Sequence, residues 1–175
     1  VAVAINLTGF GLVKLLNLPL FLDQIGTIFI SLLAGPWVGF ATGLITNIID
    51  GSMFDPVYLT FMPVALVLGL VVGFIGGLKI KNLLIKGIIT IISAIAVSII
   101  VSAPIMVMYG GATGNATSVI TATLLATGKN IWEAVVGTTL LTETSDKTIS
   151  VLVAFLIIKS ISKRYLVKFK NGENY

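Results

Sequence analysis

The sequence predicts an all-α integral membrane bundle of six transmembrane helices, with the N- and C-termini on the cytoplasmic side. Of its 175 residues, 57% are hydrophobic and only 10% are charged, and the mean hydropathy is +1.10. A soluble domain carries about 25% charged residues. The apolar runs are long and continuous, and about 20 such residues cross the hydrocarbon core of a bilayer. We therefore expect one transmembrane domain over 1–175, without a separate soluble domain.

Turn-forming residues separate the predicted helices. Pro19 and Asp23 mark the first loop. Pro36 is suited to open a helix, because its missing N–H would be unpaired there anyway. The segment DGSMFDP at 50–56 is rich in turn formers. A short basic loop, KIKN, follows at 79–82, and 164–175 is expected to be a basic cytoplasmic tail. The predicted helices cover about 1–16, 24–34, 37–49, 57–78, 83–108 and 146–163.

The segment 109–142 allows two interpretations. Its first part, YGGATGNATS, is polar and glycine-rich, and two apolar stretches of about ten residues follow it, each too short to span a bilayer. Either the segment forms an outer loop or lid, or its second half extends the last helix back to about Asn130. We favour the extension.

The charges predict the orientation of the bundle. An excess of Lys and Arg is typical of cytoplasmic loops, and with six crossings the basic residues of 79–86 and 159–170 fall on the cytoplasmic side. Nearly all acids fall on the outer side, with three lysines among them. The net charge of +4 is explained by this topology and by attraction to anionic lipid, so no nucleic-acid partner is expected.

Several absences limit the chemistry that we expect. The chain has no Cys and no His, which removes thiol chemistry and the commonest general base and metal ligand. It has no phosphate-binding P-loop, so any use of ATP must come from a partner. We expect no enzymatic activity, no cofactor and no metal site. Because the sequence opens inside an apolar run with no basic leader, we expect the native N-terminus to lie upstream.

The charged segment TETSDK at 142–147 is the least expected feature of this apolar chain. If a helix begins at Asp146, then Ser145 is a natural N-cap and Asp146 a favourable acid of the first turn. If the helix runs from Asn130, the acids lie inside an apolar helix, where such groups usually face a polar interior or cavity. Lys147 is spaced to pair with Glu143 at i, i+4. That pair would leave Asp146 free for a ligand.

Residues 18–49 contain the segment LPLFLDQIGT, the turn GPWVG and a glycine-containing predicted helix that ends in TN at 46–47. These motifs resemble the substrate-binding S components of energy-coupling factor (ECF) vitamin transporters. The segment DKTISVLVAFLIIKSI at 146–161 also resembles the final helix of many members. The size, six-helix layout and basic C-terminus extend the resemblance over essentially the whole chain.

The resemblance implies a bacterial, multi-pass cytoplasmic-membrane subunit that captures a vitamin from outside. Its partners would be a transmembrane coupling subunit and two ATPase subunits, which supply the energy for import. Family members usually dock on the coupling subunit through an Ala-x-x-x-Ala motif on the first helix. Here Ala4 and Thr8 stand at that spacing, and small residues four apart allow close helix approach. Packing within the bundle is the alternative for this pair.

The resemblance further implies a pocket built from the first outer loop and the outer ends of the last three helices. Aromatic rings there suit a flat heterocycle, and carboxylates accept N–H groups or balance positive charge. We therefore predict that the substrate is a neutral or cationic nitrogen heterocycle. Thiamine, a hydroxymethylpyrimidine-type precursor or an amine-bearing deazaguanine of the queuosine-precursor type would fit. Riboflavin and a nucleoside-like compound are further alternatives. The candidate residues are Phe21, Asp23, Phe54, Tyr58, Phe61, Met106, Tyr109, Asn130, Trp132, Glu133, Thr142, Glu143 and Asp146.

A self-sufficient permease or channel is the alternative function. It would be expected to show ionisable relays deep in several spans, or inverted repeats with broken helices, and neither pattern is apparent in the sequence. Pro63 and Pro104 are the positions where kinks are expected, both towards the outer ends of their helices.

Overall fold

The computed structural model describes all residues 1–175, and every regular element in it is helical. The longest helix lies near the C-terminus, and the shortest ones are single turns. The elements are α1 (Ala2–Leu16), α2 (Ile25–Ala34), α3 (Pro36–Met53), α4 (Val57–Thr60), α5 (Met62–Gly77), α6 (Leu83–Met108), α7 (Thr117–Ala126), α8 (Ile131–Ser160), α9 (Lys163–Leu166) and a 3₁₀ turn (Gly172–Asn174).

The central helix is α2, which packs against α1, α3, α5 and α8. Ile28, Leu32 and Leu33 have no exposed surface, and they form the core together with Leu68 of α5 and Val151 of α8. The start of α2 is fixed by Asn6 of α1. The Asn6 amide oxygen accepts the backbone N–H of Gly26 at 2.7 Å, and its amide nitrogen donates to the Thr27 hydroxyl at 2.8 Å. Asn6 therefore satisfies an otherwise unpaired N–H group of the first turn of α2.

Helices α3 and α5 touch through glycines. A Cβ at Gly69 would lie 2.6 Å from the carbonyl carbon of Gly39, and a Cβ at Gly43 would lie 2.9 Å from the carbonyl oxygen of Ala65. Gly73 is packed in the same way against the backbone of Pro36. Small residues at a helix contact let the two backbones approach closely. The glycines of the GPWVGFATG segment therefore pack helices together.

The connections define two ends of the bundle. The loops at 17–24, 54–61 and 109–130 lie at one end, which we call the pocket end. Residues 78–82 and 161–175 lie at the other, which we call the basic end because most of the Lys and Arg residues are there. Both termini lie at the basic end, where residues 1–3 line an apolar groove together with Ile161 and Phe169.

The structure changes the bounds of the third and fourth predicted helices, and the kink position expected at Pro104 lies in a continuous helix. The third helix continues to Met53 and so includes Asp50 and Gly51. The predicted fourth helix is interrupted at Phe61, because Pro63 lies in the first turn of a new helix, where it lacks no needed N–H. The α6 helix passes through Pro104 without a break.

The last helix is a single element from Ile131 to Ser160, in agreement with the favoured interpretation of 109–142. It begins with a capping box, in which the Asn130 side chain accepts the Glu133 N–H at 2.9 Å and Glu133 accepts the Asn130 N–H at 3.3 Å. The rest of the segment contains α7, which packs against α8. The segment TETSDK therefore lies inside a helix.

The C-terminal segment folds back onto the basic end. The Asn171 N–H donates to the carbonyl of Leu33 at 2.8 Å, and the Asn174 amide donates to the carbonyl of Gly76 at 3.2 Å. The Lys86 ammonium also donates to the Gly76 carbonyl, at 3.0 Å, and lies 4.2 Å from the centre of the Tyr175 ring. The tail thus supplies partners for carbonyls at the ends of α2 and α5, which have no partner in their own helices.

One helix, α6, is long and apolar enough to span a membrane by length and composition. Its 26 residues include an 18-residue window of mean hydropathy 2.5, of which 22% is buried. The other apolar helices, α1, α2, α5 and α7, have between 10 and 17 residues. Since each residue adds about 1.5 Å, α2 alone covers about half of a 30 Å hydrocarbon core.

Candidate functional site

A buried cluster of charges lies on α8 at the pocket end. Glu143 is 5% exposed, Asp146 0% and Lys147 1%. The Lys147 ammonium donates to Asp146 and lies 3.3 Å from Glu143 Oε2. The i, i+4 pair that the sequence predicts is therefore present. The expectation that it leaves Asp146 free is wrong, since Lys147 bridges both acids.

Asp146 also holds the first loop. Its Oδ1 accepts the backbone N–H groups of Phe21 at 2.9 Å and Leu22 at 2.7 Å. Leu22 has a φ of 49°, a conformation that is unfavourable for a residue other than glycine. Two hydrogen bonds to a charged acceptor supply energy to hold the loop in this conformation. Asp146 therefore joins α8 to the loop that precedes α2.

The pocket lies between this loop, α8 and the adjoining ends of α3, α5 and α6. Its cavity volume is about 40 Å³, and the empty space between its walls is about 570 Å³ when the open solvent at its mouth is included. The aromatic part of the wall comes from Phe21, Tyr58 and Phe61, and the polar part includes Asp23 and Glu143. The remaining lining residues are Gln24, Asn47, Val57, Val64, Ser102, Met106, Thr113, Asn115 and Lys147.

Several polar atoms of the lining have no hydrogen-bond partner. They are Asp23 Oδ1, Gln24 Oε1, Ser102 Oγ and Glu143 Oε2, and each is buried. The Glu143 oxygen is within ion-pair distance of Lys147 but lacks the geometry of a hydrogen bond. Buried polar groups are normally paired, and an unpaired one needs an explanation. The amide oxygen of Gln24 and the carboxylate oxygens of ionised Asp23 and Glu143 can only accept hydrogen bonds. These three atoms therefore suit a ligand that donates hydrogen bonds.

Asp23 lies in the loop, outside the helices, and its carboxyl group is the pocket acid that no lysine contacts directly. Burial raises its pKa from 3.8 to about 7. Lys147 opposes this shift, whereas the negative charges of Asp146, Asp50 and Glu143 add to it. Asp23 thus changes charge near neutral pH, and a cation in the pocket would favour its ionised form.

The structure brings some of the predicted site residues to the pocket and leaves others away from it. Phe21, Asp23, Tyr58, Phe61 and Glu143 line it, as does Met106. The predicted residues outside the lining are Phe54, Tyr109, Asn130, Trp132, Glu133, Thr142 and Asp146.

Those outside residues have other surroundings. Phe54 packs against Phe10, with ring centres 5.3 Å apart. Asn130 and Glu133 cap α8, and Trp132 is 52% exposed beside them. Tyr109 ends α6 and is partly exposed. Thr142 donates to the carbonyl of Thr138 within α8.

Five polar residues of the lining were missed by the sequence reasoning, namely Gln24, Asn47, Ser102, Thr113 and Asn115, and Lys147 was predicted only as an ion-pair partner. Gln24 follows directly after Asp23, and Asn47 belongs to the TN pair that carries part of the resemblance. Ser102 is one of few polar residues in an apolar helix, which is a usable signal for a cavity-facing position. Asn115 gave no such signal, because it lies in a loop where polar residues are ordinary.

Ala4 and Thr8, the candidate docking pair, lie on the exposed side of α1. The Thr8 hydroxyl donates to the Ala4 carbonyl at 2.8 Å. The buried side of α1 is formed instead by Asn6, Gly9, Phe10 and Val13. Packing of the pair within the bundle, the alternative that the sequence left open, is therefore not observed.

Comparisons with protein-family models, with curated proteins and with solved structures found no match to this chain.

Proposed function

We propose that this chain is the membrane-embedded, substrate-binding S component of an ECF-type importer, in a bacterial cytoplasmic membrane. It captures a small neutral or cationic nitrogen heterocycle at the pocket end, which faces outwards. The observation that carries the proposal is the pocket itself, in which aromatic rings face unpaired acceptor atoms at one end of an apolar bundle. Small-molecule sites commonly combine an apolar wall with a few placed polar groups.

The charges of the pocket support the substrate class. Asp23 and Glu143 line the pocket, Asp146 lies directly behind it, and Lys147 is the only cation in the lining. Lys147 already contacts two carboxylates. A carboxylate-bearing ligand would bring a further negative charge to a site that has more acids than bases, which is unfavourable at low dielectric. A donor or cation is favourable there.

The membrane assignment draws on composition and on the exposed surface. Side chains of α6 that face outwards, such as Ile92 and Ile100, are 62% and 71% exposed. Exposed apolar area of this extent is typical of a surface that meets lipid or a partner. Six crossings require the shorter helices to span with the help of their flanking loops. The exposed pair Ala4 and Thr8 is then available to a coupling subunit, while partner ATPases supply the energy.

The first test is to purify the protein in mild detergent and to identify any co-purifying small molecule by native mass spectrometry. Titration with the molecule found, or with a panel of vitamins, follows. A tightly bound neutral or cationic heterocycle supports the proposal, and tight binding of a carboxylate-bearing vitamin contradicts the substrate class.

The variant Glu143→Gln tests the pocket directly. We expect it to weaken binding at least about tenfold, or roughly 1.4 kcal/mol, because it removes a pocket charge. Glu133→Gln is the matched control, because Gln also completes a capping box and Glu133 is exposed outside the pocket. Equal affinities for both variants would make the Glu143 charge structural.

A transport assay separates the proposal from a self-sufficient permease. In proteoliposomes, an S component moves substrate only when the coupling subunit, the ATPases and ATP are added. Substrate flux with this chain alone would favour the permease.

A further inference from the structure

A second groove lies at the basic end, between the start of α6 and the end of α8. Its empty volume, including open space, is about 480 Å³. Phe155, Ile158, Leu166 and Tyr175 supply apolar wall, and Lys159 and Lys163 lie at its edge. The groove thus combines an apolar floor with two cations, far from the pocket proposed for substrate.

The groove continues into exposed apolar surface on both helices. On α6, Leu84 is 72% and Ile88 is 48% exposed, and on α8, Leu152 is 54% and Leu156 is 65% exposed. Leu156 and Leu152 precede Lys159 by about one and two turns of the same helix, respectively. An elongated apolar molecule whose polar end lies at the two lysines can therefore extend along α8 towards the middle of the bundle.

The charges of the groove are complementary to an anion. No acid lines it, and neither Lys159 nor Lys163 forms an ion pair. Glu173 is the nearest acid by sequence, and it lines a neighbouring depression that also contains Lys163, without forming an ion pair with it. Two unpaired ammonium groups beside an apolar groove suit a phosphate group that carries acyl chains.

Tyr175 forms part of the wall of the groove. Its ring is held in place by the Lys86 ammonium at 4.2 Å and by the Phe155 ring at 6.1 Å between centres. The aromatic part of the wall is therefore anchored by contacts within the bundle.

We infer that this groove binds one anionic phospholipid, with the phosphate at Lys159 and Lys163 and an acyl chain along the exposed side of α8. The inference rests on the membrane location contained in the proposed function, and it is independent of the substrate. Basic pockets between helices on the cytoplasmic side are known to favour anionic head groups, and long lysine stems extend over apolar surface while the charge stays at the interface.

The test is native mass spectrometry of the detergent-purified full chain, titrated separately with phosphatidylglycerol and phosphatidylcholine. We expect one phosphatidylglycerol to bind at least about tenfold more tightly than phosphatidylcholine. The double variant Lys159→Gln/Lys163→Gln should lose most of this preference. The matched control is Lys79→Gln/Lys81→Gln, which removes the same charge at the same end but outside the groove, and it should change the affinity less than about twofold.

Equal binding of both lipids, or an equal loss in both double variants, would overturn the inference in favour of diffuse attraction. Soluble glycerol 3-phosphate serves as a further arm, and tight binding of it would show a phosphate site without a lipid requirement. Lys159→Arg/Lys163→Arg, which keeps both charges, should retain the preference. An unchanged circular dichroism spectrum of the glutamine variant shows that it does not act through misfolding. Vitamin titration of the same samples reports on the proposed function separately, because the two sites share no residue.

Discussion

Lys147 and Lys86 are both fully buried, one at each end of the bundle, and their surroundings are opposite. Lys147 lies between Asp146 and Glu143 and within the field of Asp23. Lys86 has no carboxylate partner, and it contacts the carbonyl of Gly76 and the ring of Tyr175. The first lysine fixes the position of negative charges beside a pocket. The second holds neutral groups of the C-terminal segment against the end of α5.

Equal burial of the two lysines therefore does not mean an equal role. Removing Lys147 leaves buried charges without a partner, and this is the costly kind of change. Removing Lys86 leaves a carbonyl and an aromatic ring, which an apolar side chain of similar length can partly accommodate. Substitutions at the two lysines and at the acids near Lys147 test this difference.

Lys147→Met should destabilise the protein by about 3–5 kcal/mol, because the acids around it lose their buried cation. Chemical unfolding in detergent, followed by circular dichroism, measures the change. Lys129→Met is the control, since Lys129 is exposed in the loop before α8 and should cost less than about 0.5 kcal/mol. Similar losses in the two variants would show that the cluster is not held by Lys147.

Asp146→Asn should cost about 1.5–3 kcal/mol, the usual value for a hydrogen bond to a charged group. It should also speed amide hydrogen exchange at Phe21 and Leu22 and weaken substrate binding at least about tenfold, or roughly 1.4 kcal/mol, because these amides lose their ionised acceptor. The neighbouring variant Ser145→Ala removes an exposed hydroxyl and should leave exchange at both amides unchanged. Unaltered exchange in Asp146→Asn would contradict the role assigned to Asp146.

Binding of a permanently cationic ligand should strengthen about tenfold between pH 6 and pH 8. Asp23, with a pKa of about 7, is mostly neutral at pH 6 and mostly ionised at pH 8.

The stability of the unliganded protein should change with pH in the opposite sense. The folded-state pKa lies above the unfolded value of 3.8, so the folded state binds more protons between the two values, and the free energy of unfolding falls as pH rises from about 4 to about 7.

Asp23→Asn should abolish the pH dependence of ligand binding. Isothermal titration at several pH values measures both proteins. A dependence that survives in Asp23→Asn would show that Asp23 does not cause it.

Lys86→Met should cost only about 1 kcal/mol, because loss of the ammonium–carbonyl hydrogen bond is partly offset by removing a buried charge that has no carboxylate partner. Its effect should appear as faster amide exchange at Asn171 and Asn174, since the C-terminal segment loses one of its attachments. Lys81→Met, an exposed change nearby, is the control. A loss as large as that of Lys147→Met would contradict the distinction between the two lysines.

Local patterns in the sequence were enough to predict most helices. The bounds of α6, 83–108, agree with the structure because Asn82 caps the helix and an unbroken apolar run follows. The continuous last helix was predicted to begin near Asn130, and the structure places a capping box of Asn130 and Glu133 at that position. The break at Phe61 was missed, because a proline is as compatible with the interior of a kinked helix as with the first turn of a new one.

The site was less predictable than the helices. The pair Glu143 and Lys147 follows from i, i+4 spacing, which is a local rule. The role of Asp146 does not, because its partners Phe21 and Leu22 are 125 and 124 residues away along the chain. Such contacts depend on how α8 lies against the first loop, and no pattern within either segment contains that information.

The contact between α3 and α5 has a consequence for the size of the molecule that the pocket admits. Gly43 meets the backbone of Ala65, one helical turn before Asn47 on α3 and next to Val64 on α5, and both of these residues line the pocket. The distance between these two walls therefore depends on Gly43 having no side chain. A single methyl group at Gly43 would push α3 and α5 apart next to the pocket. The width of the pocket is in this sense set by a helix contact outside it.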